Sequence, residues 1–270
     1  MSMSMRPSRV LSLLRQGKNV CCYKLNFSDA RATELVAICG FDCIWIDMEH
    51  VPNDFSSIEQ SIWAAKSQNV DVMVRVARGG YSDYIRPLEA DAAGIMVPHV
   101  MSLEDAKQVV RTTRFHPIGR RPLDGGNADG GYCEVALETY IREANEQRFV
   151  AIQIEDPEPL DELDRIAALP GIDMLFFGPA DFSQGIGAPG SWEHPKLIDT
   201  RKRIVELART HGKFAGTVAS PANMDTLAEM GYQFLNLGAD VHALAMNCKS
   251  LVAQFKKEEA GSTKSIYGGK

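Results

Sequence analysis

The sequence predicts a (β/α)8 TIM barrel, and three observations carry that prediction. Eight short apolar runs rich in β-branched and aromatic residues recur along the chain. Stretches of helical periodicity fill most of the intervals between them, and acids, bases and cations gather where the runs end. A chain of 270 residues has room for about one or two domains. Eight alternating units use nearly all of it, so one barrel domain is expected over residues 1–260, with GSTKSIYGGK (261–270) as a disordered tail.

Pro7, the apolar VLSLL and Gly17 mark a short capped helix at the start, in preference to a targeting peptide, because no small-residue cleavage site follows. The strands are then NVCCYKLNF (19–27), CIWIDME (43–49), VDVMVRV (70–76), GIMVPHV (94–100), FVAIQIE (149–155), MLFFGPA (174–180), KFAGTVA (213–219) and FLNLGA (234–239). SDARATELVAIC, PNDFSSIEQSIWAAKSQ, SDYIRPLEAD, SLEDAKQVVRTTR, PLDELDRIAALP, HPKLIDTRKRIVELARTHG and SPANMDTLAEMG supply the helices, many opening on a capping Ser, Asp or Asn. The competing fold is a doubly wound open sheet, which usually announces a dinucleotide with a glycine-rich turn after its first strand. NFSDARATE stands there instead, without a glycine.

Composition narrows the partners. With 29 basic against 35 acidic residues and a net charge of -6, nothing favours nucleic acid or an anionic membrane surface. No apolar run approaches the roughly 18 to 20 residues of a membrane span. The 6 cysteines form neither a C-x-x-C pair nor a zinc spacing, so reduced, mostly buried thiols and a cytoplasmic location are expected. The long connection from His116 to Gln147 carries GGNADGG, Arg120, Arg121, Asp124 and Tyr132. It reads as a lid or subunit-contact loop with a short helix, or else as a solvated insertion.

The active site of such a barrel lies where its strands end at their C-terminal side. Strand two ends in Asp47, Met48, Glu49 and His50, strand three carries Arg75 and strand four ends with His99. Strand five ends in Gln153 and Glu155, and strand six leads to Asp181. Side chains two apart share a strand face, so the alternation of Ile152 and Ile154 with Gln153 and Glu155 turns the polar pair inward. The same parity turns Arg75 inward beside Met73, where a salt bridge with a core carboxylate is the structural alternative to a catalytic role. Glu155 and Asp181, on neighbouring strands about 4.8 Å apart, either share a proton or hold a cation. Oxygen donors favour a hard ion, Mg2+ or Mn2+. Asp47 and His50 read equally as a strand-end cap and as a proton-transfer dyad. His99 and His116, without a partner in sequence, read as structural; Glu49 is placed to pair with a barrel arginine.

Together GFDCIWIDMEH, VMVRV, VPHV, QIED and GPADFSQGIGAPG resemble the HpcH/HpaI class II (metal-dependent) pyruvate aldolases, in order and spacing over about residues 28 to 250. The resemblance implies a carbon–carbon lyase that cleaves or forms a 4-hydroxy-2-oxo acid from pyruvate and an aldehyde through a metal-stabilised enolate. It implies that Glu155 and Asp181 hold the divalent metal (Mg2+ or Mn2+, with Co2+ or Zn2+ as alternatives) and that Arg75 bonds the keto oxygen. It gives proton transfer to His50, oriented by Asp47, the pyruvate pocket to Gln153, and the carboxylate to the N–H groups of Ala180 and Asp181. It also implies a homo-oligomer, a hexamer, in which DVHALAMNCKSLVAQFKK packs on a neighbouring subunit. GRRPLDGGNADGG departs from the G-x-R-G run of such enzymes, which puts the aldehyde half in question. The alternatives are oxaloacetate decarboxylation or another enolate-type carbon–carbon bond reaction, and a non-catalytic 2-oxo acid binder. Lys24, should it point inward, opens a Schiff-base route that leaves Glu155 and Asp181 without a purpose.

Overall fold

The structure, a computed structural model, describes residues 3–27 and 29–256; the tail expected at 261–270 lies outside them. Eight parallel strands close into a barrel in chain order: β1 (Val20–Leu25), β2 (Cys43–Asp47), β3 (Asp71–Arg75), β4 (Gly94–Val97), β5 (Phe149–Ile154), β6 (Met174–Phe177), β7 (Phe214–Val218) and β8 (Phe234–Ala239). Each predicted run contains one of them. The helices are α1 (Arg9–Arg15), α2 (Ala30–Ile38), α3 (Phe55–Ser67), α4 (Tyr81–Glu89), α5 (Leu103–Thr113), α6 (Leu137–Gln147), α7 (Leu163–Ala167), α8 (Pro179–Gly185), α9 (Pro195–Thr210), α10 (Met224–Met230) and α11 (Asp240–Lys256). Asp29, Asp54 and Ser102 start α2, α3 and α5 by accepting first-turn N–H groups, as their sequence positions imply.

The two strand faces fill two apolar regions. Ile44, Ile46, Val72, Val74, Ile152 and Ile154 pack against the helices, whereas Cys22, Trp45, Met73, Met96, Ala151, Met174, Phe176 and Phe234 fill the barrel interior. The expected amino-terminal helix closes the far end of that interior: Val10, Leu11 and Leu14 of α1 belong to the interior cluster. Asp71 holds it there. Buried at the start of β3, this carboxylate accepts the Ser8 hydroxyl (2.6 Å), the Val10 N–H (2.9 Å) and Arg6 (2.7 Å), while Ser8 Oγ caps the helix by accepting from Leu11.

Two expectations change. MLFFGPA does not remain a strand to Ala180. It ends at Phe177, Gly178 caps α8 and Pro179 opens it, because proline suits the first helical turn, where its missing N–H has no partner to lose. The 116–147 connection is no lid over its own mouth. It joins α5 to β5, a helix-to-strand passage, and so starts from the barrel end opposite the strand exits. From there it lies against α4 and the N-terminal segment, through Met3 beside Val135 and the buried cluster of Met5, Phe115, Val135 and Tyr140. Arg121 is buried in it against Asp129 (2.8 Å), whereas Tyr132 and Leu123 remain exposed.

In α11 Asp240 accepts the N–H groups of Asn26 and Phe27 (2.9 Å each), which fixes the helix start beside β1. Beyond that anchor α11 buries none of its residues, and Leu244, Leu251, Val252 and Phe255 lie exposed. No helix among the described residues is long and apolar enough to cross a membrane.

Because α1 fills the barrel end with Leu14, Leu14→Ala is expected to lower unfolding free energy by about 2–5 kcal/mol. Guanidinium denaturation measures it, and a loss below roughly 1 kcal/mol would mean that the helix is not part of the core.

Candidate active site

Register decides which charged groups meet at the strand exits. Asp47 and Arg75 are direct partners across β2 and β3 and share the inward face. Arg75 clasps Asp47 with two hydrogen bonds, Nε to Oδ1 (2.9 Å) and Nη2 to Oδ2 (2.5 Å), and Lys24 Nζ from β1 reaches the same Oδ2 at 2.7 Å. All three side chains are buried. Burial alone would raise the Asp47 pKa, but Arg75 and Lys24 outweigh it and hold the carboxyl well below the usual carboxylate range. Both cations lie 4.9 Å from the centre of the Trp45 ring, which forms the floor beneath them.

Asp47 therefore does not orient His50. The His50 ring is largely exposed and its Nε2 lies 3.3 Å from Glu49 Oε2, which is also 2.9 Å from Arg75 Nη1. The anticipated pairing of Glu49 with a barrel arginine is present. Three positions of sequence spacing could not reveal that Asp47 is already committed to a neighbouring strand.

Glu155, one residue beyond β5, is 1% exposed, and His99 donates its backbone N–H to Glu155 Oε1 (2.9 Å). Burial pushes the Glu155 pKa up to about 7, with the charges of Asp181 and Glu49 adding to the rise and His99 opposing it. Asp181 thus lies within electrostatic reach of Glu155 but sits in the first turn of α8, exposed, rather than at a strand end. Gln153 points inward beside them: its Nε2 donates to Glu155 Oε2, while its buried Oε1 has no hydrogen-bond partner. Gly178 permits this crowding. A Cβ there would come within 2.7 Å of Glu155 Oε2 and 2.9 Å of Gln153 Nε2.

His99 is not a remote structural residue. Its Nδ1 pairs with Asp156 Oδ2 at 2.8 Å and its Nε2 lies 3.4 Å from Glu49 Oε1. Burial opposes its charge, but Asp156, Glu155 and Glu49 outweigh that and raise its pKa. One donor atom from each of Glu49, His99 and Glu155 lies within 4.8 Å of the others. Carboxylates gathered this closely, one of them buried and raised, are the donor chemistry of a divalent cation, so the residues present fit such an ion. His116 stands apart beside Arg120 in the long connection.

The site opens into a cavity of about 190 Å3 lined by Lys24, Trp45, His50, Arg75, Gln153, Ala180 and Asp181 among others. That is smaller than the roughly 300–1,000 Å3 of drug-sized pockets and suits a small acid. The first turn of α8 leaves the N–H groups of Ala180 and Asp181 without intrahelical acceptors.

A sequence profile described as HpcH/HpaI aldolase/citrate lyase matches residues 22–247. The hydroxypyruvate/pyruvate aldolase of Pseudomonas aeruginosa is 31% identical over 272 residues, covering 98% of this chain and 100% of that protein. The 2-keto-3-deoxy-L-rhamnonate aldolase of a Klebsiella pneumoniae strain is 31% identical over 237 residues, 87% of this chain and 88% of that one. The crystal structure of an HpcH/HpaI aldolase from Desulfitobacterium hafniense superposes with a TM-score of 0.87 at 28% identity, over 96% of this chain and 99% of that chain.

The raised Glu155 has a signature in stability. Its folded pKa of about 7 lies above the ordinary 4.5, so between those values the folded chain keeps a proton that the unfolded chain has released. Stability of the metal-free protein is therefore expected to fall as pH rises through that window, and Glu155→Gln to flatten the fall. Thermal unfolding in EDTA across the window checks this; identical profiles for the two proteins would refute it.

Proposed function

The chain belongs to the HpcH/HpaI aldolase/citrate lyase family, and from that premise we propose that it is a metal-dependent pyruvate aldolase. It cleaves or forms a 4-hydroxy-2-oxo acid, with pyruvate and an aldehyde as the two fragments. The observation that carries this reading is a small cavity lined by the buried Arg75 guanidinium, Gln153 and Asp181, with the buried Glu155 carboxylate, whose surroundings call for a cation, bonded to Gln153 behind its wall.

Glu155 and Asp181 would hold the divalent ion, Mg2+ or Mn2+, which when bound would supply Lewis acidity toward the 2-oxo acid. The chain's own residues do the rest. Arg75, fixed by Asp47 and Glu49, presents its guanidinium to the cavity and stabilises negative charge that develops on the keto oxygen. His50, its Nε2 facing Glu49, takes the proton of the C4 hydroxyl at its other ring nitrogen. The C3–C4 bond then breaks, its electron pair moves toward C2 and its oxygen, and the aldehyde leaves; return of a proton to C3 gives pyruvate. Trp45 and Phe176 wall the cavity with apolar surface that keeps water from the carbanionic carbon. Gln153 lines the pyruvate pocket, and the N–H groups of Ala180 and Asp181 receive the carboxylate.

Lys24 lies inward but its Nζ is held by Asp47, 2.7 Å away, as an ion-pair partner, which argues against a Schiff-base role. The exposed apolar side chains of α11 support the homo-oligomer in which this helix is covered by a neighbour.

Pyruvate release from 4-hydroxy-2-oxo acids, assayed with Mn2+ and then with EDTA, tests the reading. Metal-dependent release is expected. Tight binding of Mn2+ and pyruvate without turnover of any such acid would identify a non-catalytic binder instead. Glu155→Gln is expected to abolish both turnover and Mn2+ uptake measured by calorimetry. Arg75→Lys is expected to keep Mn2+ affinity and lower kcat on the order of a hundredfold; a rate near that of the parent would remove Arg75 from the mechanism.

A further inference from the structure

We propose that Lys24 and the indole N–H of Trp45 form a second carboxylate subsite on the inner wall of the cavity, which selects a 2-oxo acid bearing an acidic substituent on C3. The proposal rests on the aldolase reading above and deepens it, since that reading leaves the C3 position unrecognised.

Two cations face the cavity with little to oppose them. Apart from His50, the ionisable side chains that line it are Lys24, Arg75 and Asp181. Asp181 is committed to the divalent ion in the reading above. Asp47, which pairs with both cations, is fully buried behind them and does not line the cavity. Among the described residues Asp47 is the one carboxylate paired with Lys24 Nζ, at 2.7 Å. A single carboxylate oxygen does not exhaust the three N–H donors of an ammonium.

Trp45 supplies the independent observation. It lines the same cavity, is 3% exposed, and its Nε1 has no hydrogen-bond partner. Indole nitrogen is a donor only, so the group that completes it is an acceptor oxygen. The ring is fixed in place, with Lys24 and Arg75 each 4.9 Å from its centre and Phe176 packed edge-on at 5.6 Å. A buried donor without a partner costs stability, and a ligand oxygen removes that cost. A cation beside a neutral N–H suits a carboxylate, because charge-assisted hydrogen bonds are stronger than neutral ones.

Adjacency places this group on the substrate. Arg75 Nη2 and Lys24 Nζ meet at the same oxygen, Asp47 Oδ2. A ligand whose keto oxygen reaches Arg75 therefore has its neighbouring atoms beside Lys24. The C1 carboxylate is received at the first turn of α8, which leaves C3 as that neighbour. The ligand class is a 2-oxo dicarboxylic acid, with oxaloacetate its smallest member.

The test uses the full chain with Mg2+ and measures competitive inhibition of 4-hydroxy-2-oxo acid cleavage, followed as aldehyde release so that decarboxylation does not contribute. Oxaloacetate and 2-oxobutanoate compare a carboxylate with a methyl group on C3. Oxaloacetate is expected to inhibit at least about tenfold more strongly, because a site with unpaired donors rejects the analogue that lacks the acceptor. Lys24→Met is expected to bring the two within about twofold of each other. Nuclear magnetic resonance of 15N-labelled protein with Mg2+ reads the subsite directly. Malate, which cannot lose its carboxylate as oxaloacetate does, is expected to move one indole N–H signal downfield, the signal missing from Trp45→Phe; 2-hydroxybutanoate is expected to leave it in place. Equal inhibition by the two 2-oxo acids would overturn the proposal and leave the aldolase reading standing. A preference that survives Lys24→Met, or a Trp45 signal that does not move, would overturn it as well. Absence of metal-dependent cleavage of any 4-hydroxy-2-oxo acid would sink the aldolase reading and the subsite with it. The parent comparison and the indole signal need no Lys24 variant, so a Lys24→Met chain that failed to fold would not shelter the idea.

Discussion

Asp47 is held by two cations, and the mouth of the barrel is arranged around that ion triplet. A lone charge in the interior would be expelled or neutralised, because burial costs several kcal/mol per ion after relaxation. With Arg75 and Lys24 on one carboxylate, three charged side chains occupy the top interior layer directly above Trp45. Arg75 is thereby held by its Nε and Nη2 atoms, and Nη1 turns to Glu49. Glu49 in turn lies against both His50 and His99. The position of each functional group at the mouth follows from this chain of pairings, and the acidic surplus left beside Glu155 is what a divalent ion would balance.

Much of this was legible in the sequence for a simple reason: apolar runs and period-two alternation are local properties. The runs marked all eight strands, and the alternation turned Arg75, Gln153 and Glu155 toward the interior. The charges that meet across strands are not local. Asp47 meets Arg75 because the β2–β3 register places them opposite each other, and no spacing within DMEH records that. His99 meets Asp156 across 57 positions for the same reason. Two other misreadings had available signals. Gly178 followed by Pro179 is a helix start, so Asp181 belonged on α8. A connection that leaves a helix and enters a strand begins at the closed end of a barrel, so residues 116–147 could not roof the mouth of their own chain from that origin.

The two ends of the barrel divide their labour through the same chemistry. At the closed end Asp71 and Asp91 are saturated by Ser8, Arg6, Lys66 and Arg148, with geometry that leaves them nothing to offer a ligand. At the open end the buried Gln153 Oε1 has no hydrogen-bond partner, and the buried Glu155 carboxylate is met by the His99 backbone N–H and the Gln153 amide. The contrast separates acids neutralised by cations from a buried acid held by neutral donors, and it uses the charge of the partners rather than residue type as the criterion.

Plugging by Val10, Leu11 and Leu14 beneath a filled interior makes the cavity a cul-de-sac. A molecule bound there meets solvent on the strand-exit side, so a short helix at the opposite end of the molecule decides which face of the barrel trades with its surroundings.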